Sequence, residues 1–295
     1  MNEFKIYKDK LFPKLNGVDL KSLKIDYDCV SFITPHNDSK KIAEFAIKHI
    51  KKYKSNPKTI TVVDSTACVG GDSIMLCHKF GNVISIEIDS NRYNNLVFNL
   101  NQYKFKNVEI INGDSTKIIP TLPVIDIIFI DVPWGGKDYK TKENLRFDFG
   151  KTNLEQFIIN CFDNKITKSK PELIISKMPK NYDMKYLLDI LSNDFVVTLY
   201  ELKKMNIIAV EKKEYIKEQL MKDIKKISTT IVNEIINNSI KKIISNDNQS
   251  YQLDQVNKSQ MNQVDKSNQL IDRQEWDSSD DFCVDSPSKK TNILI

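Results

Sequence analysis

Five short apolar runs, each closed by an acid or a proline and each followed by a helix-length segment, constrain this chain more than any other feature. They are residues 59–64 (TITVVD), 82–89 (NVISIEID), 108–114 (VEIINGD), 124–131 (VIDIIFID) and 172–179 (ELIISKMP). A strand with one wet face alternates polar and apolar residues. A near-continuous β-branched run is instead buried on both faces, as in a parallel sheet flanked by helices. The intervening segments carry the helical period. Residues 91–103, with Ser90 as cap, place Tyr93, Leu96, Val97, Leu100 and Tyr103 on one face. Ahead of the first run, Ile42, Phe45, Ala46, Ile50 and Tyr53 share a face of a helix for which Asp38 or Ser39 is the expected cap. Strands alternating with helices predict an α/β chain with a doubly wound, mostly parallel sheet.

The pattern then changes. Residues 195–202 (FVVTLYEL) and 205–210 (MNIIAV) are two strand-like runs around Lys203-Lys204, which predicts an antiparallel hairpin. A seven-stranded sheet closed in this way resembles the ground plan of class I S-adenosylmethionine-dependent methyltransferases. The expected organisation is an N-terminal extension (1–30), a catalytic domain (31–212), an amphipathic helix (213–245) and a polar, acidic tail (246–295). The helix carries Ile216, Leu220, Ile224, Ile227, Ile231 and Ile235 as a stripe, and the tail is expected to be disordered.

Composition excludes several classes. No apolar run approaches the roughly 18–20 residues of a membrane span. The N-terminus has no signal-peptide pattern. The five cysteines never form a CxxC pair, so a reducing, intracellular compartment is expected, nucleus or cytoplasm, without a disulfide framework. His36, His49 and His78 are too few and too scattered for a metal centre. The formal charge of +5 is uneven: residues 246–295 carry −4 and the preceding 245 residues +9. A basic body suits a polyanion such as RNA, and a coding bias toward Lys, Asn and Ile accounts for it equally well.

The first run leads into Asp64-Ser-Thr-Ala-Cys-Val-Gly70-Gly71-Asp72 and a short helix. Glycines at a strand-to-helix turn admit a ligand to the backbone. The GxGxxG spacing of dinucleotide enzymes and the GK[ST] of a P-loop are both absent. An acid at position 64 suits a cationic amino group rather than a phosphate, which favours S-adenosyl-L-methionine. Glu87, ending the second run, is placed to accept from ribose hydroxyls. Asp114, ending the third, is placed to accept from an adenine amino group, or simply to cap the next helix.

The fourth run ends in Asp131-Val-Pro-Trp-Gly-Gly-Lys-Asp-Tyr139. A carboxylate at a strand end accepts an N–H bond from an exocyclic amine and turns its lone pair toward a methyl donor. Pro133 stiffens the loop, and Trp134 offers a flat surface for a base. A positively charged base such as N7-methylguanine gains a further cation–π attraction from an indole face.

This stretch resembles the (Ser/Asp)-Pro-Pro-Trp-Gly-Gly-x-x-Tyr motif of the trimethylguanosine synthase family. Residues 31–35 (SFITP) with Lys41-Ile-Ala-Glu44, and Met178-Pro179-Lys180-Asn181, resemble two further segments of that family. The similarity spans roughly residues 26–212. The resemblance implies methylation of the N2 amine of a 7-methylguanosine RNA cap, with capped RNA as partner and no metal or membrane. It implies that Thr34, Asp64, Gly70, Glu87 and Asp114 hold the cofactor, and that Asp131, Pro133 and Trp134 hold the guanine. Asp131 and Trp134 are then the catalytic pair, while Tyr139 and Lys180 meet the cap phosphates. Val132 departs from the family's first proline, Phe32 from a frequent serine, and Lys180 from an arginine. A lysine attracts phosphate without planar bidentate geometry. A monomer is expected. The alternatives are a methyltransferase for another exocyclic amine, guanine N2 of structured RNA or adenine N6, and a catalytically silent cap- or RNA-binding subunit.

Overall fold

Each of the five apolar runs contains a strand: β1 (Thr61–Asp64), β2 (Asn82–Glu87), β3 (Val108–Asn112), β4 (Ile127–Ile130) and β5 (Leu173–Pro179). The hairpin follows as β6 (Phe195–Glu201) and β7 (Met205–Lys212). The structure, a computed structural model, describes residues 8–15, 17–245 and 291–294. The strand order is β6-β7-β5-β4-β1-β2-β3, with β7 antiparallel to both β5 and β6 and the other pairings parallel. These seven strands are the expected mostly parallel sheet with its C-terminal antiparallel hairpin, and among the described residues an eighth strand joins its hairpin edge.

Alternation within each apolar run feeds two hydrophobic layers. Val62, Ile127, Ile175 and Ile207 face one, together with α1 (His36–Ile50), α2 (Gly71–Lys79) and α3 (Ser90–Gln102). Val63, Ile128, Ile174 and Ile208 face the other, against α4 (Leu154–Phe162) and α5 (Met184–Leu191). Both faces of the central strands are therefore dry, which is why their sequences are apolar without interruption.

The structure corrects the capping assignments. α1 begins at His36, with Pro35 as the N-cap residue, so Asp38 lies in its first turn instead of capping it. An acid there still favours the positive end of the helix dipole. α3 begins at Ser90 and is capped by Asp89, whose carboxylate accepts from the Asn91 and Arg92 N–H groups. Two adjacent residues were both good caps, and the acid takes the position.

The N-terminal segment is not a loose extension. Leu11, Phe12, Leu20 and Leu23 are buried in the first layer. The Tyr103 hydroxyl donates to the Pro13 carbonyl at 2.8 Å. Asn99, inside α3, accepts from the Lys24 N–H at 2.7 Å and donates to the Lys24 carbonyl at 2.8 Å. An amide paired with both backbone groups of one residue acts like one rung of a sheet. It stitches the segment to α3.

After Ile216 the chain divides into a second unit. Its described part belongs to α6 (Lys213–Ser245), where Leu220, Ile227, Ile231 and Ile235 are exposed. The polar tail expected to be disordered lies outside the described residues, apart from β8 (Thr291–Leu294). That strand belongs to the first unit and pairs antiparallel with β6, Thr291 opposite Tyr200.

If the N-terminal segment belongs to the core, Phe12→Ala lowers unfolding stability by about 3–5 kcal/mol, as for a fully buried phenylalanine elsewhere. A denaturation curve indistinguishable from wild type would show the segment to be an appendage.

Candidate active site

The chain runs outward from β1 through β2 to β3, then returns to β4 on the opposite side of β1. At such a reversal the loops leaving two adjacent parallel strands diverge and open a crevice. The crevice lies past Asp64 and Ile130. Its two walls are tied together: the Asp131 N–H donates to the Thr66 hydroxyl at 2.9 Å, and the Ser65 N–H donates to the Phe129 carbonyl at 3.0 Å.

Two glycines make the turn after β1. Gly70 has φ +101°, a conformation that suits glycine, and stands as N-cap of α2. At Gly71 an added Cβ would come within 2.4 Å of Ile33 Cγ1 and 3.3 Å of the Thr34 carbonyl. Residues 33–34 therefore lie directly on the glycine turn, and only glycine permits that approach.

The three strand-end acids have different surroundings. Asp64 is fully buried. It accepts from the Ser73 hydroxyl at 2.6 Å and from the Thr66 N–H at 3.3 Å. Burial, reinforced by the nearby Asp72 charge, pushes its carboxyl up to about 7. A carboxylate held uncomfortably in this way is relieved by an approaching cation. Glu87 is also buried, and its two oxygens accept from the Cys68 and Asp89 N–H groups, each at 2.8 Å. These bonds fix the carboxylate and leave lone pairs for further donors. Asp114 behaves as a cap. It accepts from the Thr116 N–H at 3.0 Å and hydroxyl at 2.7 Å, and pairs with Lys117 at 3.5 Å. Those bonds, the Thr116 hydroxyl foremost, hold it below the usual carboxylate range. Sequence reasoning missed Ile88, which is 68% exposed between Glu87 and the Asp89 cap. A large apolar side chain left bare beside a strand-end acid could flank a flat ring. The only sequence signal was its place in a run whose other apolar members are inside.

Thr34 and Asp131 come together through a residue the sequence did not point to. Lys177, in β5, forms an ion pair with Asp131 Oδ2 and donates to the Thr34 hydroxyl at 2.8 Å. Thr34, itself buried, donates its hydroxyl hydrogen to a bond with Asp72 Oδ2 at 2.6 Å. The result is a continuous chain Asp72–Thr34–Lys177–Asp131 beneath the crevice. Thr34 is thus part of this network. Burial raises the Asp131 carboxyl to about 6, with Lys177 pulling it down and Asp72 pushing it up.

Trp134 is half-buried and touches both hydrophobic layers. The Lys177 ammonium lies 5.6 Å from the centre of its ring. Tyr139 meets it edge-on, with centroids 5.1 Å apart and planes at 70°. The Tyr139 carbonyl is held by the Asn181 amide at 2.7 Å. Val132, which stands where the family has its first proline, is buried in the second layer, and Pro133 is exposed. Gly135 and Gly136 have positive φ and open space around them. Lys180 is half-exposed and pairs with Glu201 at 3.7 Å. Asp131, Pro133, Trp134 and Tyr139 thus share one loop against β5, while Asp64, Gly70 and Glu87 line the β1–β2 side.

The cradle suits a cationic amino-acid nucleoside. It has a glycine turn with no room for side chains, a buried acid awaiting positive charge, and a fixed Glu87 beside an apolar flank. The fold and this crevice define a class I, S-adenosylmethionine-dependent methyltransferase. The profile of the RNA cap guanine-N2 methyltransferase family matches residues 59–246, and the chain belongs to that family. An uncharacterised protein of Acanthamoeba polyphaga mimivirus is 28% identical over 220 residues, covering 68% of this chain and 84% of the relative. Among solved structures, a precorrin-6y C5,15-methyltransferase of Geobacter metallireducens is 16% identical, covering 65% of this chain and 95% of that one, with a TM-score of 0.44. The human methyltransferase 10 domain containing protein is 13% identical, covering 64% and 89%, with a TM-score of 0.44.

Asp64 carries a pH signature. Its proton is retained to about pH 7 when folded, against an ordinary 3.8. Between these values the folded state holds a proton that the unfolded chain has lost, so stability falls as pH rises through the window. Asp64→Asn removes that loss. Denaturation at pH values below and above the window should show the variant gaining on wild type as pH rises. A constant difference would contradict the assignment.

Proposed function

We propose that this chain transfers a methyl group from S-adenosylmethionine to the N2 amine of a 7-methylguanosine RNA cap, giving a di- or trimethylguanosine cap. The observation that carries this reading is the half-buried Trp134 ring, already facing an ammonium at 5.6 Å, beside the strand-end carboxylate Asp131. A ring that tolerates one cation against it suits a cationic purine, for which cation–π attraction contributes about 0.5–2 kcal/mol. Membership of the cap guanine-N2 family supports the same substrate. So does the +9 charge of residues 1–245, which favours a polyanion.

S-adenosylmethionine supplies an activated methyl carbon on a sulfonium, so no covalent bond to the protein is required. Asp64, Gly70 and Glu87 bind it, with Ile88 flanking the base. Thr34 acts at one remove, through its bonds to Asp72 and Lys177, and Asp114 contributes by fixing the turn after β3. Trp134 stacks the guanine, and Tyr139 braces the indole edge-on. Asp131 accepts an N–H bond from the amine and stabilises the positive charge that grows on nitrogen. Pro133 limits the freedom of the loop between them. Lys180 exchanges Glu201 for a cap phosphate. Positioning of this kind contributes up to about 7–11 kcal/mol in well-oriented reactions.

The two key residues are expected to fail differently. Trp134→Ala should raise KM for a cap dinucleotide by about tenfold or more, since base stacking is worth about 1–3 kcal/mol, and leave S-adenosylhomocysteine affinity unchanged. Asp131→Ala should lower kcat by about 10²–10³-fold with a smaller effect on KM. Full activity of both variants on capped RNA would remove the proposed pocket.

A further inference from the structure

An ammonium group stands where the strand pattern asks for an apolar side chain. Every residue of β5 is buried, and the Lys177 side chain is only 3% exposed. Lysine is almost never fully buried unless paired, because its charge gives up hydration. Here the pairing is complete: Asp131 Oδ2, the Thr34 hydroxyl and the face of Trp134 take the three directions of the ammonium. Two carboxylates, Asp131 and Asp72, share this single cation through Thr34. The cluster therefore keeps a net negative charge, suited to a reaction in which donor and product amine are both cationic.

We propose that Lys177 is a positioning residue for methyl transfer, holding Asp131 by Oδ2 and reserving Oδ1 for the acceptor amine. A carboxylate at a strand end otherwise rotates freely about its last bond, and an amine bound to it follows. With Oδ2 pinned by a buried group in the neighbouring strand, the second oxygen has one direction. The same contact keeps Asp131 charged. Around it stand Lys177 from β5, Asp72 from α2 and Asp64 from β1, with the Cys68 thiol near the ammonium. Lys177 is the cation in this set. Without it, burial and the carboxylates at 64 and 72 all favour a protonated Asp131, which cannot accept from the amine through a charged oxygen. The proposal rests on the assignment of Asp131 as the amine's partner.

The test uses the full-length protein as wild type, Lys177→Met and Lys177→Gln, so that one variant serves if the other fails to fold. Asp131 is titrated by carbon NMR of labelled aspartates, identified with Asp131→Asn, and kcat is followed against pH with a 7-methylguanosine cap dinucleotide. Both variants should raise the Asp131 midpoint by at least about one pH unit and move the acid limb of kcat by the same amount. At neutral pH kcat should fall about ten- to a hundredfold, with KM for the cap within about threefold of wild type. Lys177→Arg, which keeps the charge, should restore the acid limb. An unmoved Asp131 midpoint overturns the proposal. So does a loss of activity with an unmoved limb, since that marks a merely structural role. If wild type fails to methylate the cap, the substrate assignment falls, while the carboxyl titration, which needs no acceptor, still decides the hold of Lys177 on Asp131.

Discussion

Parallel pairing of β1 on both sides is the constraint on which the rest depends. β1 bonds to β2 in the register Val62 to Val83 and to β4 in the register Val62 to Ile127. Strands that run together end together, so the loops beginning at Ser65 and Asp131 emerge side by side. Because the chain arrives at β4 from the far edge of the sheet, those loops turn apart instead of covering one another. The Thr66–Asp131 hydrogen bond then fixes their spacing. Asp64, Gly70, Asp131, Pro133 and Trp134 all leave from this junction.

The chemistry placed there is consistently anionic. Asp64, Asp72, Glu87 and Asp131 converge on the crevice, and Lys177 is the buried cation among them. For an isolated protein this is unfavourable: Asp64 and Asp131 are pushed to about 7 and about 6 by burial. Sites that strain their own charges in this way are where ligands of opposite sign gain most. A cationic ligand bound there would relieve that cost. The glycine turn has the complementary role. It excludes side chains from the backbone at the point where the anionic groups are densest.

The sheet was legible in the sequence because burial on both faces removes polar residues from whole runs and leaves acids at their ends, some at the crevice and some, like Asp89 and Asp114, as helix caps. Strands β1 to β5 follow from that one regularity, and the hairpin from a two-lysine turn between β-branched runs; β8 had no such signal. Trp134 and Asp131 were legible because their loop combines residues that rarely occur together. Lys177 was not, since one lysine in ELIISKMP reads as an interruption, and its partners lie in other strands and in residues 33–34. The N-terminal segment was equally opaque. Its buried Phe12 and Leu23 join the first hydrophobic layer from a segment too short and irregular to show a period. The α3 cap moved by one residue, where Asp89 and Ser90 competed, and the α1 cap by three or four, to a proline that makes no side-chain cap, while the bonds of Asp114 within the structure are local.

The central claim is that the carboxylate and indole after β4 present a guanine amine to an activated methyl group. It is tested most directly by incubating the purified chain with S-adenosylmethionine carrying a carbon-13 methyl and a 7-methylguanosine cap dinucleotide, then locating the label by NMR. Label on N2 of the methylated guanine, and none on the unmethylated guanosine cap supplied in parallel, is the result expected. Label on any other atom, or equal labelling of the two caps, would contradict the account.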